Sequence, residues 1–185
     1  MYQKNLGYDL RPIANHYSSK LQKIKLCLFD IDGIMTDGRI YFAGSELQFN
    51  RFFHMQDGYG LKILEQMQIQ VGLISGKDSV GTRERFKPFD INHLYLGNDD
   101  KRSAYLEIKK KENLQDDEIL FMGDDFIDLP LLNRVGFSAT VPTSSIEIKE
   151  AADYITNRHS GHGAVREVID ILRHAHNFIP SVPQF

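Results

Sequence analysis

Two aspartates at positions i and i+2, Asp30 and Asp32, end the run Leu26-Cys27-Leu28-Phe29-Asp30-Ile31-Asp32-Gly33. The apolar stretch before them is too short for a free-standing helix and suits a strand buried on both faces. The carboxylates then fall just past a strand end, at the edge of a sheet where open α/β folds bind ligands. Like charges at this spacing repel one another, and a bound cation would remove that cost. Gly33 lets the backbone turn away sharply. The competing reading of these residues is a turn carrying two solvated aspartates.

Three other stretches carry matching chemistry. Residues 71–74 form a second apolar run ending in Ser75-Gly76-Lys77, and 119–122 form another that runs into Gly123-Asp124-Asp125, with Asp128 one turn on. Lys101 opens a helix between them. An acidic cluster suits a hard cation such as Mg²⁺, which prefers oxygen ligands and keeps several waters. A hydroxyl and an ammonium beside such an ion suit a phosphoryl group. A lysine at a helix start opposes the helix dipole by roughly 0.3–1 kcal/mol. It gains nothing structurally there, although solvated surface lysines are common. Ser75-Gly76 alone is also ordinary turn chemistry.

The elements that must position these residues alternate. Residues 1–24 read as an arm with Ile13, Tyr17, Leu21 and Ile24 at helical spacing after Pro12. Strands are expected at 25–29, 71–74, 94–96, 119–122 and 137–141. Helices are expected from Leu61, at 78–87, 101–111, 129–135, 146–152 and 164–176. Asn98-Asp99-Asp100 can cap the helix at Lys101. Alternation of this kind implies an α/β fold with a mostly parallel sheet covered on both faces, which brings the strand ends to one rim.

Residues 34–56 break the pattern. Ile40, Tyr41 and Phe42, the turn Ala43-Gly44-Ser45, then Leu47, Phe49, Phe52 and Phe53 predict a β-hairpin inserted after the acidic motif. The segment Asp57-Gly58-Tyr59-Gly60 is expected to end it. A lone ribbon is marginally stable, so its aromatic surface is expected to pack on other subunits or fold back as a flap. Residues 178–185 read as a tail.

Composition narrows the class. The chain has 185 residues, 42% apolar and 25% charged, with a net charge of −3, and predicts one compact domain over 1–185. That balance argues against a nucleic-acid or membrane surface. Cys27 is the single cysteine, which excludes an internal disulfide and fits a reducing compartment. No run reaches the ~18 apolar residues a bilayer needs, and MYQKNLGYDL lacks an apolar signal core. A cytoplasmic protein is the simplest expectation. His174 and His176, two apart on a helix, point different ways and argue against zinc.

Taken together, Phe29-Asp30-Ile31-Asp32-Gly33, Ser75, Lys101 and Gly123-Asp124-Asp125 with Asp128 resemble the four motifs of the haloacid dehalogenase-like hydrolase superfamily. A second set is similar to the 3-deoxy-D-manno-octulosonate 8-phosphate phosphatase family over residues 25–175. It comprises Thr36-Asp37-Gly38-Arg39, Asp57-Gly58-Tyr59-Gly60, Gly123-Asp124-Asp125 and Gly161-His162-Gly163-Ala164-Val165-Arg166-Glu167. The resemblance implies a Rossmann-like three-layer fold, a minimal β-hairpin cap and homotetramers in which the hairpins associate. It implies Asp30 as nucleophile and Asp32 as general acid and base, with Ser75 and Lys101 on the phosphoryl oxygens. Mg²⁺ would be held by Asp30, the Asp32 backbone carbonyl and Asp124, with Asp125 and Asp128 behind them.

Sugar-acid contacts would fall on Asp32, His54, Met55, Gln56, Asp57, Gly58, Lys62, Lys77 and Arg85. Lys77 and Gln56 stand where the family usually has arginine. Lysine keeps the charge but loses the bidentate fork, which leaves an eight-carbon or a nine-carbon sugar acid open as substrate. Arg166 could meet an anion, and the tail would reach a neighbour's site. Rival readings are a non-catalytic tetramerising module, a signalling receiver and a dehalogenase. Lys101 precedes Asp124, against the receiver order, and Asp32 is an acid that carbon–halogen cleavage does not need.

Overall fold

The computed structural model describes residues 8–46 and 48–183. Leu26–Phe29 is strand β1, buried throughout. Its side chains alternate between two apolar clusters, Cys27 and Phe29 on one face and Leu26 and Leu28 on the other, as the period of a strand requires. Each such buried side chain contributes roughly 1.5–3 kcal/mol.

The hairpin strands are β2 (Tyr41–Phe42) and β3 (Phe49–Asn50), paired antiparallel. The remaining strands are β4 (Gln70–Ser75), β5 (His93–Leu96), β6 (Ile119–Met122), β7 (Phe137–Thr140) and β8 (Tyr154–Ile155). With β1 they form a six-stranded sheet in the order β5-β4-β1-β6-β7-β8, parallel at every pairing. The chain fills one side of β1 with β4 and β5, then crosses back to place β6 on the other side. The order therefore reverses between β1 and β6, and their carboxyl ends flank the crevice where such sheets bind ligands. Phe29 lies opposite Met122 in register, so Asp30 and Gly123 leave the sheet side by side.

One face is covered by α1 (Arg11–His16), α2 (Ser18–Leu21), α3 (Met55–Gln66), α4 (Val80–Phe86) and α8 (Ala164–Ala175). They bring Ala14, Leu21, Ile63, Phe86 and Val168 onto the Phe29 cluster. The other face is covered by α5 (Lys101–Glu112), α6 (Leu129–Leu132) and α7 (Ile146–Ala151), through Tyr105, Leu131 and Ile148. Ser79 caps α4 by accepting from Thr82 N at 3.2 Å. Asp100 caps α5 by accepting from Arg102 N at 3.1 Å.

The structure corrects several boundaries. A sixth strand, β8, pairs with β7 where the sequence shows only two β-formers, too few for a periodic signal. The hairpin is shorter than 34–56. Ile34, Met35 and Thr36 are buried in the core, while Met55 and Gln56 already belong to α3. The glycines of Asp57-Gly58-Tyr59-Gly60 do not end a hairpin but sit inside α3. A Cβ on Gly60 would lie 2.8 Å from Ile169 Cδ1 of α8, so Gly60 serves helix contact rather than a turn. The expected helix at 129–135 is a 3₁₀ turn over Phe126–Asp128 followed by the short α6. In the tail, Ser181 N donates to Gln66 Oε1 at 2.9 Å, laying this segment along α3. Leu47, the first seven residues of the arm and the last two of the tail lie outside the described residues.

Candidate active site

Three strand ends and one helix start meet at the crevice. Asp30 follows β1, Ser75 ends β4, and Gly123-Asp124-Asp125 follows β6, while Lys101 reaches in from the start of α5. Lys101 is 1% exposed despite its charge, a state that needs paired partners. Its Nζ lies 2.7 Å from Asp30 Oδ1 and 2.6 Å from Asp128 Oδ1. Asp128 is fully buried, and its Oδ2 accepts from Asp124 N at 2.9 Å and Asp125 N at 3.2 Å. One carboxylate thus fixes both the lysine and the acidic loop. Thr140 Oγ1 donates to Gly123 O at 2.7 Å and pins the same loop to β7.

Asp30, Asp124 and Asp128 each offer a carboxylate oxygen within 4.8 Å of the others. The backbone opens space for this cluster at Gly33, whose φ is +93°. A Cβ there would fall 2.1 Å from Asp124 Oδ2. Burial pushes the Asp124 carboxyl up to about 8, with the neighbouring Asp30 and Asp128 carboxylates adding to it and Lys101 opposing. Burial likewise pushes Asp30 up to about 6; Lys101 pulls it back and Asp128 adds to the rise. Burial disfavours the charge on Lys101, but Asp30 and Asp128 outweigh it and hold the ammonium above the ordinary lysine range. The cluster is one positive charge against three acids, Asp30 and Asp128 buried and Asp124 half-buried. An all-oxygen set short of positive charge fits a hard divalent cation.

A cavity of about 180 Å³ opens on this cluster, walled by Asp30, Ser75, Asp124 and Asp125, with Asp99 and Ile127 at its rim. Asp32 and Lys77 also line it, and both line a second cavity of about 450 Å³ that extends under the hairpin past Ile40, Phe49 and Arg51. Asp32 therefore stands on the wall between a small anionic chamber and a larger one. Ser75 is 2% exposed, and its hydroxyl accepts from Lys77 N at 3.2 Å. Asp125 accepts from Phe126 N at 2.7 Å and caps the 3₁₀ turn.

The residues singled out for the sugar separate into groups. Lys77 lies beside the reaction chamber. Met55, Gly58, Lys62 and Arg85 line a different cavity of about 270 Å³, with Phe89. The Arg85 guanidinium packs over the Phe89 ring at 4.8 Å. Asp57 is turned into the fold, its Oδ1 accepting from Arg166 N at 2.7 Å, and burial raises its pKa. Gln56 Oε1 accepts from Arg158 Nη1 at 2.8 Å. His54 Nδ1 is buried without a hydrogen-bond partner among the described residues. Arg166, expected to be open to an anion, pairs instead with Asp170 at 3.0 Å. Gly161 does allow close approach: its φ is +65°, and a Cβ would lie 2.4 Å from Asp37 N.

Sequence reasoning missed Arg51. Its Nε and Nη2 donate to Asp32 Oδ1 and Oδ2, the latter at 2.8 Å. The only signal was one cation within an aromatic stretch, which a polar hairpin face explains equally well. A larger cavity of about 470 Å³ lies at the opposite edge of the sheet, but its acids Asp117 and Glu118 are already paired with Lys23 and Lys25.

The haloacid dehalogenase-like hydrolase family model matches residues 61–169, and the chain belongs to that family. Within it, the chain is similar to 3-deoxy-D-manno-octulosonate 8-phosphate phosphatases. The Yersinia pestis enzyme of that name is 36% identical over 163 residues, 87% of this chain and 86% of its own. A Moraxella catarrhalis structure of that phosphatase, in complex with a magnesium ion, a phosphate ion and a KDO molecule, superposes with a TM-score of 0.84. It is 36% identical and covers 88% of this chain and 93% of its own. A cobalt-bound Haemophilus influenzae structure gives a TM-score of 0.81 at 34% identity, covering 85% and 92%.

Proposed function

We propose that this chain is a Mg²⁺-dependent phosphatase acting on an acidic keto-sugar phosphate, 3-deoxy-D-manno-octulosonate 8-phosphate. The observation that carries the reading is the convergence of Asp30, Asp124 and Lys101 on one chamber whose wall holds Asp32. A phosphoryl group fits the small chamber, and its sugar extends into the larger cavity across the Asp32 wall.

Asp30 attacks phosphorus in line and becomes an aspartyl phosphate. The P–O bond to the sugar breaks, and Asp32 gives its proton to the leaving oxygen. Asp32 then takes a proton from the water that attacks the aspartyl phosphate, releasing phosphate and restoring Asp30. Ser75 and Lys101 bind the phosphoryl oxygens. The Asp30 and Asp124 carboxylates and the Asp32 backbone carbonyl would hold Mg²⁺, with Asp125 and Asp128 behind them. The bound ion supplies positive charge where the phosphoryl oxygens gather negative charge.

Lys77, on the wall shared by both cavities, is placed to meet the sugar carboxylate. Met55, Gly58, Lys62 and Arg85 contribute if a neighbouring copy brings its substrate to their cavity, which His54 and Gln56 do not line. Asp57 is already held in the fold and contributes indirectly. The hairpin leaves Ile40, Phe42, Phe49 and Phe52 more than half exposed, which supports homotetramers assembled through it. The chain is read as one domain over 1–185 with that hairpin as its cap. A cytoplasmic location agrees with a lone, buried Cys27, and no described helix is long and apolar enough to cross a membrane.

The test is phosphate release from a panel of sugar phosphates with and without Mg²⁺. Release from 3-deoxy-D-manno-octulosonate 8-phosphate, stopped by chelation, is expected. Preference for a nine-carbon sugar-acid phosphate would move the substrate, since Lys77 replaces the usual arginine. Absence of release from every member would overturn the reading.

A further inference from the structure

The buried guanidinium of Arg51 has no role in the steps above, yet it is among the most constrained charges in the molecule. It is 7% exposed and uses its whole fork. Nε and Nη2 hold both oxygens of Asp32. Nη1 donates to Ser79 Oγ at 2.9 Å and lies 3.4 Å from Thr82 Oγ1. Ser79 and Thr82 are joined at 2.9 Å. They stand at the first turn of α4, a regular element anchored in the core by Phe86. The preceding residue is fastened there too, since a Cβ on Gly81 would lie 2.3 Å from Asn50 Oδ1.

We propose that Arg51 is a positioning residue for the phosphatase reaction, holding the Asp32 carboxyl group on the wall between the two cavities, with Ser79 and Thr82 holding Arg51. The inference rests on the reading of Asp32 as the proton donor. Asp32 lies in the loop after β1, with a side chain about 29% exposed, and a carboxyl group so placed samples several rotamers unless something fixes it. Proton transfer demands heavy-atom contact of about 2.6–3.2 Å with the leaving oxygen. A planar bidentate clamp meets that demand where a point charge would not. Arg51 itself holds no proton it can give up, so it acts only through Asp32. A protonated carboxyl group keeps one arm of the fork on its carbonyl oxygen and turns its hydroxyl toward the leaving group. As the P–O bond breaks, the bonding pair stays on the leaving oxygen, the proton follows, and the Asp32 anion regains both arms.

Two aryl phosphates separate this role from others. 4-Nitrophenyl phosphate has a leaving group that departs without help, whereas phenyl phosphate has nearly the same shape and needs a proton. Neither carries a carboxylate for Arg51 to bind. The value of kcat/KM reports steps only through phosphoryl transfer to Asp30. Arg51→Met should lose about 100-fold or more on phenyl phosphate and under about threefold on 4-nitrophenyl phosphate. Asp32→Asn should show the same split, and Arg51→Lys should fall between Arg51→Met and wild type. Equal losses on both esters, or none, would overturn the proposal. Should Arg51→Met fail to fold, the same comparison on Arg51→Lys decides. A wild-type protein inert on both esters, or an Asp32→Asn variant without the split, would instead overturn the phosphatase reading beneath it.

Discussion

At the scale of single residues, the site is governed by a shortage of positive charge. Lys101 forms ion pairs with Asp30 and Asp128, whereas no ion pair to Asp124 forms among the described residues. Burial raises Asp124 to about 8 and Asp30 to about 6, and the neighbouring carboxylates add to the rise. A carboxyl group whose folded pKa lies above its ordinary value near 3.8 holds its proton more tightly in the folded chain. That contribution is complete below about pH 4 and is lost as pH rises from there, through about 6 for Asp30 and about 8 for Asp124. Chelator-treated protein is therefore expected to melt at falling temperature as pH rises from about 4 to about 8. Added Mg²⁺ should flatten the decline, because the ion replaces the protons. A melting temperature independent of pH without metal would contradict the account. Lys101→Met removes the ammonium paired with Asp30 and Asp128 and leaves two buried acids facing each other. It should cost about 3 kcal/mol in urea unfolding, and an unchanged midpoint would show that the lysine does not compensate them.

At the scale of elements, the loops after β1 and β6 are shaped for each other. Gly33 gives Asp124 the space beside β1, so Gly33→Ala, strained at φ +93° and blocked by that carboxylate, should raise the Mg²⁺ concentration for half-maximal activity at least about tenfold while the sheet stays folded; titration of activity with Mg²⁺ reads this. These loops were legible in the sequence because buried parallel strands are short apolar runs, and the polar residue after each run marks its end. Asp30, Ser75 and Asp124 were found that way, and Lys101 by its awkward place at a helix start. Asp57-Gly58-Tyr59-Gly60 misled because glycine commonly signals a turn, whereas here small residues let α3 approach its neighbours. The two residues of β8 fall below any periodic pattern. Arg51 was not legible, since its partners Asp32, Ser79 and Thr82 are distant in sequence and meet it only as the chain closes. The separation of Met55, Gly58, Lys62 and Arg85 from the reaction chamber is likewise a tertiary fact.

At the scale of the whole molecule, reversal of strand order between β1 and β6 makes the crevice, and the hairpin roofs the chamber beside it. Stacked Tyr41 and Phe52, with ring centroids 5.0 Å apart, and Phe42 against Phe49 at 5.6 Å present an aromatic face to the outside. Phe42→Asp combined with Phe49→Asp should convert the proposed tetramer to smaller species in sedimentation velocity; a wild-type protein that sediments as a monomer would contradict the proposed assembly. The central claim concerns a covalent bond, and one measurement addresses it directly. Asp32→Asn, incubated with Mg²⁺ and 4-nitrophenyl phosphate, loses the base that hydrolyses the intermediate but not the nucleophile. After acid quenching and borohydride reduction, peptide mass spectrometry should find the reduced side chain at position 30 and nowhere else. Unmodified Asp30, or a label on another residue, would contradict the mechanism.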